Sequence, residues 1–478
     1  MLRKTKIVAT LGPASSDPEV IERMIRAGVD VFRLNFSHGT AEEHIERSRI
    51  VRAASERVGR PVAILADLQG PKIRIGRFAD GKVELERHQR FILDAACEVG
   101  DNTRVGLDYP ELPRDVSPGT ILLLDDGRIV LDVVEVVGDE IHTRVTLGGE
   151  LSNNKGINRR GGGLSAPALT AKDLEDVQIA ARMGADFVAV SFPRSAEDMQ
   201  RARQLMLDAG GHALMIAKIE RAEATQERVL VQILKASDGI MVARGDLAVE
   251  VGDAAVPALQ KWMIGLARKY NKLTITATQM MESMISSPLP TRAEVSDVAN
   301  AVLDGTDAVM LSAETAAGRY PVETVEAMSR ICKEAEKFDP TTLDQDFLSL
   351  ELERVDQSIA MAALVTAHQL RAKAIAALTQ SGSTALWVSR FHTHAPIYAL
   401  TSETTTVRRA ALFRGVQPIA IASITDDRER LLKEVERILL LHGAVEPGDL
   451  VVTTVGEPLG QSGGTNSLKV MEIGQRVD

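Results

Sequence analysis

Short, β-branched apolar segments recur along the chain at intervals that leave few folds open. Most neighbouring segments are separated by a stretch that has the apolar spacing of an α-helix and is closed by a glycine. The eight segments are KIVAT from residue 6, VFRLN from 31, AILADL from 63, FVAVSF from 187, LMIAKI from 214, GIMVA from 239, LTITAT from 273 and AVMLS from 308. Strands that alternate with helices pair in parallel, so the pattern predicts a β/α architecture.

One interval breaks the period. Between the segments at residues 63 and 187 the chain is about ninety residues longer than between the other neighbours. Without residues 71–166, the chain up to residue 345 has roughly the size of a (β/α)8 barrel. We therefore predict a TIM barrel formed by residues 1–70 and 167–345, and an open, doubly wound sheet is the alternative.

The inserted residues 71–166 have a different character. They contain short β-rich segments separated by Asp-Gly and Gly-Asp pairs, and no recognisable helix, which predicts a small all-β unit of hairpins. Gly70 and Pro71 at one end and the glycines at 161–163 at the other are interpreted as hinges. Because βα loops emerge at the C-terminal face of a barrel, where such barrels carry their chemistry, we expect a mobile lid over the barrel mouth.

A third unit follows at residues 346–478. Helical and strand-like segments alternate again there, and we predict an open α/β domain joined to the barrel by the polar, acidic stretch 340–356. The total length of 478 residues agrees with roughly three domains.

Composition and charge exclude several classes of protein. Acidic residues outnumber basic ones by 66 to 56, and the net charge of −10 argues against general binding of nucleic acid or anionic membrane. Cys97 and Cys332 are far apart and show no ligand spacing, so neither a disulfide framework nor a cysteine metal site is expected. With no apolar run of the length of a signal peptide or a membrane span, we expect a cytoplasmic protein.

Polar residues stand at the C-terminal ends of six predicted barrel strands, the end that faces the barrel mouth. Strand two ends in Arg33, Asn35, Ser37 and His38, strand three in Asp67, strand five in Lys218 and Glu220, strand six in Arg244 and Asp246, strand seven in Thr278, and strand eight in Ser312 and Glu314. Lys218 and Glu220 are two positions apart and therefore point to the same side. A purely structural ion pair is the alternative, but it would stabilise the fold little, and five other strands deliver polar groups to the same place.

The residue types predict a metal and a phosphoryl group. Glu220 and Asp246, with no histidine or cysteine beside them, are hard oxygen ligands suited to magnesium or manganese. Arg33, Lys218, Thr278 and the backbone amides of residues 245–246 could neutralise phosphoryl oxygens beside that ion. The chemistry indicated is phosphoryl transfer or metal-bound enolate chemistry. The sequence has no GxxxxGK[ST], so a nucleotide would not bind through a P-loop.

A second candidate phosphate site lies in the third unit. The segment TQSGSTALWVSR (379–390) places Ser381, Ser383 and Thr384 in a turn between a strand and a helix. Hydroxyl and backbone donors in such a turn suit the phosphate of an effector. A helix cap with a tight turn explains the same residues without a ligand, and this alternative stays open.

Eight motifs resemble the pyruvate kinase family, and the resemblance extends over nearly the whole chain. They are KIVATLGPAS (6–15), RLNFSHG (33–39), ADLQGPKIR (66–74), IAKIE (216–220), GIMVARGDL (239–247), ATQMMESM (277–284), RAEVSDVANAV (292–302) and MLSAETAAGRYP (310–321). The resemblance implies transfer of the phosphoryl group of phosphoenolpyruvate to ADP, giving pyruvate and ATP, the last step of glycolysis. It also implies a TIM barrel with an inserted β-barrel lid and a regulatory C-terminal α/β domain.

The resemblance implies roles for the residues at the barrel mouth. Glu220 and Asp246 would ligate magnesium, Lys218 would offset the charge of the transferring phosphoryl group, and Arg33 would clamp the phosphate. Further expected roles are a proton relay to the enolate by Thr278 and Ser312, binding of the substrate carboxylate by the amides of Gly245 and Asp246, and nucleotide contacts from Asn35, His38, Arg74 and Lys155.

The sequence departs from the family pattern in the potassium pocket. Members that require potassium hold it with groups matching Asn35, Ser37, Asp67 and the next residue, which is Leu68 here instead of threonine. Those members also carry a glutamate where this chain has Lys72. An ammonium at position 72 could supply the positive charge internally, so we predict activity without added potassium.

Other departures concern the hinge and the effector. Ala317 replaces a lysine of the family's ETAKG motif, and NRRGGG (158–163) replaces its NLPG. Ser383 stands where members activated by sugar bisphosphates often have a basic residue, so the expected effector is a sugar monophosphate, or none. The family resemblance also implies a homotetramer.

Two other functions stay open at this point. A metal-dependent aldolase or lyase acting on pyruvate enolates uses the same barrel and acid pair, although it needs no nucleotide lid. A non-catalytic metabolite sensor built on a retired kinase is the second, although retired sites usually lose a metal ligand or the key cation, and both are present here.

Overall fold

Eight parallel strands close into a barrel in the computed structural model of the protein, which describes residues 2–338, 352, 354–422, 427–457 and 464–475. Each strand pairs with its neighbour in sequence, and the last pairs with the first. The strands are Lys6–Thr10, Val31–Asn35, Ala63–Asp67, Phe187–Val190, Leu214–Ile219, Gly239–Ala243, Leu273–Ala277 and Ala308–Leu311. The predicted (β/α)8 barrel is confirmed, and the open doubly wound sheet is wrong.

Helices cover the outside of this barrel and explain why the strands are apolar along their whole length. Strands that are covered on both faces bury every side chain, and most barrel strands here are buried at every position. The α-helices of the barrel are Pro18–Ala27, Ala41–Val58, Ala171–Arg182, Ala196–Asp208, Glu227–Ala236, Arg244–Val251, Val256–Lys269, Arg292–Leu303, Ala313–Ala316 and Pro321–Ala335. Thr40, Thr170 and Thr291 begin three of them with capping boxes, in which an acidic side chain three residues on returns the hydrogen bond.

The insert between barrel strands three and four is rich in antiparallel hairpins, as predicted from its turn residues. Its strands are Arg77–Phe78, Lys82–Leu85, Arg90–Asp94, Val99–Gly100, Arg104–Val105, Ile121–Leu124, Ile129–Val137, Glu140–Leu147, Gly149–Ser152 and Ile157–Arg159. The expectation that the insert has no helix is wrong, because Leu112–Asp115 forms a single turn. Pro113 lies in its first turn, where the missing N–H breaks no helical hydrogen bond.

Glycines at both ends of the insert adopt backbone angles that other residues avoid. Gly70 has φ 67°, and a Cβ there would lie 2.5 Å from the Cβ of Ser191. Gly161, Gly162 and Gly163 have φ 81°, 75° and 88°. Only glycine adopts such angles without strain, so the backbone of these two connections depends on it.

The third unit contains a five-stranded sheet flanked by helices. From one edge to the other, the strand order is Val416–Ala420, Ile397–Thr401, Ala374–Leu378, Leu450–Gly456 and Thr465–Glu472, and only the last pair is antiparallel. The described helices of this unit are Val355–Gln369, Ser383–Ser389, Thr404–Ala410 and Arg428–Leu441. Most of the predicted linker at 340–356 lies outside the described residues. Every helix in the described ranges is too short or too polar to span a membrane.

Candidate active site

Four charged side chains meet at the barrel mouth and form a buried network. Lys218 Nζ lies 3.0 Å from Glu220 Oε1 and 3.3 Å from Asp67 Oδ1. Arg33 Nε donates to Asp67 Oδ2 at 2.6 Å, and another of its nitrogens donates to the hydroxyl of Thr10 at 3.0 Å. The side chains of Asp67 and Glu220 are 1% and 2% exposed. Asp67 therefore joins the two cations that the sequence analysis treated separately.

Burial and neighbouring charges shift the pKa values of this network in opposite directions. Burial acts to lower the pKa of Lys218, but the carboxylates of Asp67 and Glu220 outweigh it and the pKa is raised. Burial acts to raise the pKa of Asp67, but Arg33 and Lys218 hold it below its usual range. For Glu220, burial prevails and, with repulsion from Asp246, raises the pKa to about 7. The ammonium and the Asp67 carboxylate thus stay charged, while Glu220 is the group that changes charge most easily.

The turn after barrel strand four holds this network, and the sequence analysis missed it. Lys218 Nζ donates to the hydroxyl of Ser191 at 2.8 Å, and Glu220 Oε2 accepts the backbone N–H of Phe192 at 2.8 Å. A signal was available, because Ser191 is a polar residue directly after a predicted barrel strand. The criterion of polar residues at strand ends, which identified site residues on six other strands, also identifies Ser191 when it is applied to strand four.

The ends of strands six and seven are joined by Thr278. Its hydroxyl accepts the N–H of Gly245 at 2.8 Å and donates to the carbonyl of Ala277 at 2.7 Å. The φ of Thr278 is 67°, a genuine outlier for a β-branched residue. Arg244 stabilises this turn by donating to the Thr278 carbonyl at 2.6 Å and to Asp297 at 2.7 Å.

Glu220 and Asp246 follow the neighbouring strands Leu214–Ile219 and Gly239–Ala243, so both carboxylates belong to the same end of the barrel. Lys72 of the insert reaches Asp246 Oδ1 at 3.3 Å. In the part of the chain that the structure describes, no cluster of three or more His, Cys, Asp or Glu side chains is arranged around a metal position. Two carboxylates fit an ion such as Mg²⁺, which takes one or two protein carboxylates and fills its shell with substrate oxygens and water.

Glu314 ties the end of strand eight to the segment after strand seven. Its carboxylate accepts the N–H of Ser312 at 2.6 Å and the N–H of Met281 at 3.2 Å. Ser312 is half-buried at this end of the barrel, on the same face as Thr278. The two residues expected to relay a proton therefore lie at the ends of neighbouring strands.

The expected nucleotide contacts are divided between two units. Asn35 and the exposed His38 are on the barrel, where Asn35 Oδ1 accepts the N–H of Ser37 at 3.1 Å. Arg74 and Lys155 are on the insert, where they bond to the carbonyl of Asn154 at 3.0 Å and to Asp125 at 2.8 Å. A nucleotide contacted by all four would have to bridge the insert and the barrel. Of the remaining potassium-pocket positions, Leu68 is buried and Ser37 is exposed.

In the third unit, the turn at 381–384 precedes the helix Ser383–Ser389. The N–H of Ser383 donates to the hydroxyl of Ser381 at 3.4 Å, and Gly382 adopts φ 85°. Thr384 is buried, and its hydroxyl is bonded to that of Thr465 at 2.6 Å. Ser381 and Ser383 are therefore the accessible hydroxyls of this turn.

Comparisons with known proteins indicate one and the same family along nearly the whole chain. Residues 2–325 match the family model described as the barrel domain of pyruvate kinase, and residues 357–471 match the model of its alpha/beta domain. The chain is 51% identical over 478 residues to pyruvate kinase II of Salmonella typhimurium, with 99% of each chain covered. It is 49% identical over 475 residues to a pyruvate kinase of Buchnera aphidicola, with 98% of this chain and 99% of the relative covered.

A third relative, the pyruvate kinase of Haemophilus influenzae, is 51% identical over 459 residues, with 95% of this chain and 96% of the relative covered. These matches support neither an aldolase or lyase nor a non-catalytic sensor. With barrel, insert and C-terminal unit all matched in order, the chain belongs to the pyruvate kinase family.

Proposed function

We propose that the phosphoryl transfer from phosphoenolpyruvate to ADP, the activity of a pyruvate kinase, takes place in this chain at the buried network of Lys218, Glu220, Asp67 and Arg33. The observation that carries this proposal is the position of the Lys218 ammonium. It lies between two buried carboxylates, which keep it charged at the barrel mouth. A fixed positive charge in a site that excludes water stabilises the charge that develops on a transferring phosphoryl group.

Arg33 is suited to hold the phosphate of phosphoenolpyruvate. Its bonds to Asp67 and Thr10 fix the plane of the guanidinium before substrate arrives. A preoriented guanidinium binds phosphate oxygens with little loss of side-chain freedom. Asp67 thereby acts on both cations, because it also contacts Lys218.

The family has a divalent metal cofactor, and Glu220 and Asp246 are the residues that would hold it here. Magnesium or manganese suits two carboxylates without nitrogen or sulfur ligands. When bound, such an ion polarises and neutralises phosphoryl and carboxylate oxygens of the substrate. Because the ion and Lys72 would compete for the Asp246 carboxylate, Asp246 would have to release Lys72 at least in part.

Thr278 and Ser312 are proposed to deliver a proton to the enolate carbon through water. In the structure described here the Thr278 hydroxyl accepts the N–H of Gly245. If the amides of Gly245 and Asp246 bind the substrate carboxylate, that carboxylate replaces the Thr278 hydroxyl as acceptor. Substrate binding would then free the Thr278 oxygen for a water molecule, which links carboxylate binding to proton delivery.

The insert, residues 71–166, is proposed to be a lid that completes the nucleotide site. Asn35 and His38 on the barrel and Arg74 and Lys155 on the insert would contact the ADP phosphates. Closure would bring ADP in line with the phosphoryl group and exclude water that could otherwise accept it.

The direct test is ADP-dependent formation of pyruvate by the purified protein and by Lys218→Met. We expect kcat to fall by about 10²-fold or more in the variant, because one fixed charge at the transferring group is lost. Lys333→Met is the matched control, since Lys333 is exposed on the helix Pro321–Ala335, outside the barrel. Full turnover by Lys218→Met would contradict the proposed site, and retro-aldol activity without phosphoryl transfer would contradict the reaction.

Activity without added potassium is the second prediction. The Lys72 ammonium lies 3.3 Å from Asp246 and places a positive charge of the protein itself beside the carboxylates. We expect little change in rate when sodium or tetramethylammonium replaces potassium, and we expect Lys72→Glu to acquire potassium dependence. A rate increase of orders of magnitude when potassium is added to the unmodified protein would disprove this.

Regulation and assembly complete the proposal. A homotetramer and an effector that binds the turn at Ser381 and Ser383 are expected, and a cytoplasmic location agrees with the unpaired Cys97 and Cys332. Titration of phosphoenolpyruvate with sugar monophosphates and bisphosphates tests the effector. The turn would be supported as the effector site if a sugar monophosphate lowers the phosphoenolpyruvate concentration at half-saturation in the unmodified protein but not in Ser383→Glu.

A further inference from the structure

The hydroxyl of Ser191, at the barrel mouth, accepts one hydrogen bond and donates another. Ser191 follows strand Phe187–Val190, is 1% exposed, and accepts a hydrogen bond from Lys218 Nζ at 2.8 Å. Its own hydrogen is donated to the backbone carbonyl of Leu68 at 2.7 Å. Because that hydrogen is committed to a backbone group, the oxygen lone pairs are held facing the ammonium.

The next residue holds the partner of that ammonium. Phe192 adopts φ 53°, which a bulky residue avoids unless surrounding contacts impose it. In this conformation its backbone N–H donates to Glu220 Oε2 at 2.8 Å. One strained turn therefore fixes both Lys218 and Glu220, which are two positions apart at the end of the neighbouring strand Leu214–Ile219.

The other end of the Ser191 hydrogen bond lies where the insert begins. Leu68 directly follows Asp67, and Gly70 of the same segment packs so closely that a Cβ there would lie 2.5 Å from the Ser191 Cβ. The N–H of Gly70 is held in turn by Asp173 at 3.1 Å. Ser191 thus links the Lys218 ammonium to the backbone of the first connection to the insert.

We propose that Ser191 is a positioning residue, which fixes the Lys218 ammonium for phosphoryl transfer and anchors it to the backbone of residues 68–70. The proposal rests on the role given above to Lys218. A lysine side chain has four rotatable carbon–carbon bonds, and an ammonium displaced by about 1 Å loses a large part of its effect on a transition state. Among the described residues, Ser191 is the neutral acceptor that this ammonium bonds, and Asp67 and Glu220 are its charged partners, so Ser191 directs the ammonium without neutralising its charge.

Replacing Ser191 with alanine tests this directly. We expect kcat to fall by about 10- to 100-fold, with KM for phosphoenolpyruvate within about threefold, because the ammonium acts mainly on the transition state. Ser237→Ala is the matched control: Ser237 is also 1% exposed, but its hydroxyl donates to the carbonyl of Ile233 at the C-terminal end of the helix Glu227–Ala236. We expect this control to keep kcat. Melting temperatures of both variants report the stability lost with a buried hydroxyl.

A double-mutant cycle separates positioning of Lys218 from other effects. In a Lys218→Met background, Ser191→Ala should lower the residual kcat by less than about twofold. A kcat for Ser191→Ala within twofold of the unmodified protein would overturn the proposal, as would an equal loss in both backgrounds. Full turnover by Lys218→Met alone would instead overturn the proposed function on which it rests.

A second substitution keeps the test decisive if Ser191→Ala does not fold. Ser191→Cys preserves the shape of the side chain but replaces the oxygen by sulfur, which is a weak acceptor. We expect an intermediate loss of kcat with the same small change in KM. Unchanged kcat in a folded Ser191→Cys variant would contradict the proposal.

Discussion

Glu250 is a buried carboxylic acid beside the site that no proposed step uses. It lies in the helix Arg244–Val251, is 5% exposed, and accepts the N–H of Ala222 at 2.7 Å. Burial raises its pKa to about 7; repulsion from Glu223 and Asp246 acts in the same direction, and Arg221 opposes it. At neutral pH a large fraction of this residue is therefore protonated in the folded protein.

The raised pKa makes Glu250 a source of pH-dependent stability. The folded-state pKa of about 7 exceeds the ordinary glutamate pKa of 4.5, so the folded protein binds the extra proton between these limits. The stabilisation is complete below pH 4.5 and is lost as the pH rises through 7, and it is on the order of 1–3 kcal/mol. Glu250→Gln, which stays neutral, should therefore melt about 1–3 °C above the unmodified protein at pH 8 and show a much smaller gain at pH 5.

Thermal unfolding in metal-free buffer at the two pH values measures this difference. Glu227→Gln, a change of the same kind at an exposed position, is the control and should give no difference that depends on pH. A gain of equal size for Glu250→Gln at pH 5 and pH 8 would show that packing, and not protonation, explains it.

At the scale of elements, the second connection of the insert contacts the barrel through glycine. A Cβ on Gly162 would lie 1.9 Å from Glu223 Oε2, whereas a Cβ on Gly161, at a similar φ, would meet open space. Gly162→Ala must therefore displace the Glu223 carboxylate, which contacts Arg221 at 3.7 Å. If the insert is a lid, we expect KM for ADP to rise by about threefold or more in Gly162→Ala relative to Gly161→Ala. Because both variants suffer the same backbone strain, equal kinetics would indicate that this contact does not affect the nucleotide site.

The barrel strands were predictable because strands that are covered on both faces need continuous runs of β-branched residues, and such runs are visible in the local sequence. The helix Leu112–Asp115 was not, since a single turn has no apolar period to detect. The φ of Phe192 was equally hidden, because bulky residues rarely adopt it and only the packing around the turn imposes it.

The residues at the strand ends of the candidate site were predictable, but the contacts between the side chains of the site were not. Strand ends place Arg33, Lys218 and Glu220 at one face, and this follows from the barrel alone. The contact of Lys72 with Asp246 joins residues 174 positions apart and depends on how the insert lies against the barrel. No local pattern encodes that placement, just as none indicates that Asp67 lies between two cations.

At the scale of the whole molecule, Asp307 connects the barrel to the third unit. It directly precedes the strand Ala308–Leu311, accepts hydrogen bonds from two nitrogens of Arg390, and also accepts the N–H of Arg414 at 3.1 Å. Arg390 and Asp307 are each 1% exposed. Burial acts to raise the pKa of Asp307, but Arg390 and these hydrogen bonds hold it below its usual range.

The helix Ser383–Ser389 connects this contact to the proposed effector turn, because the turn precedes the helix and Arg390 directly follows it. Removing Arg390 leaves the buried Asp307 carboxylate with hydrogen bonds from groups such as the N–H of Arg414, but without the guanidinium that balances its charge. We therefore expect Arg390→Met to lower the free energy of unfolding by about 3 kcal/mol or more. The control Arg437→Met removes an exposed arginine that pairs with Glu434 on one helix, and it should change the melting temperature little.

Removing both charges distinguishes an ion pair from simple packing. Asp307→Asn combined with Arg390→Met leaves no isolated charge, so the double variant should recover part of the stability that Arg390→Met loses. If the contact also transmits the effector signal, the double variant should keep its basal activity while the effector no longer lowers half-saturation by phosphoenolpyruvate. Stability losses that simply add would mean that the two side chains act independently. An unchanged effector response would mean that the signal between the third unit and the barrel takes another route.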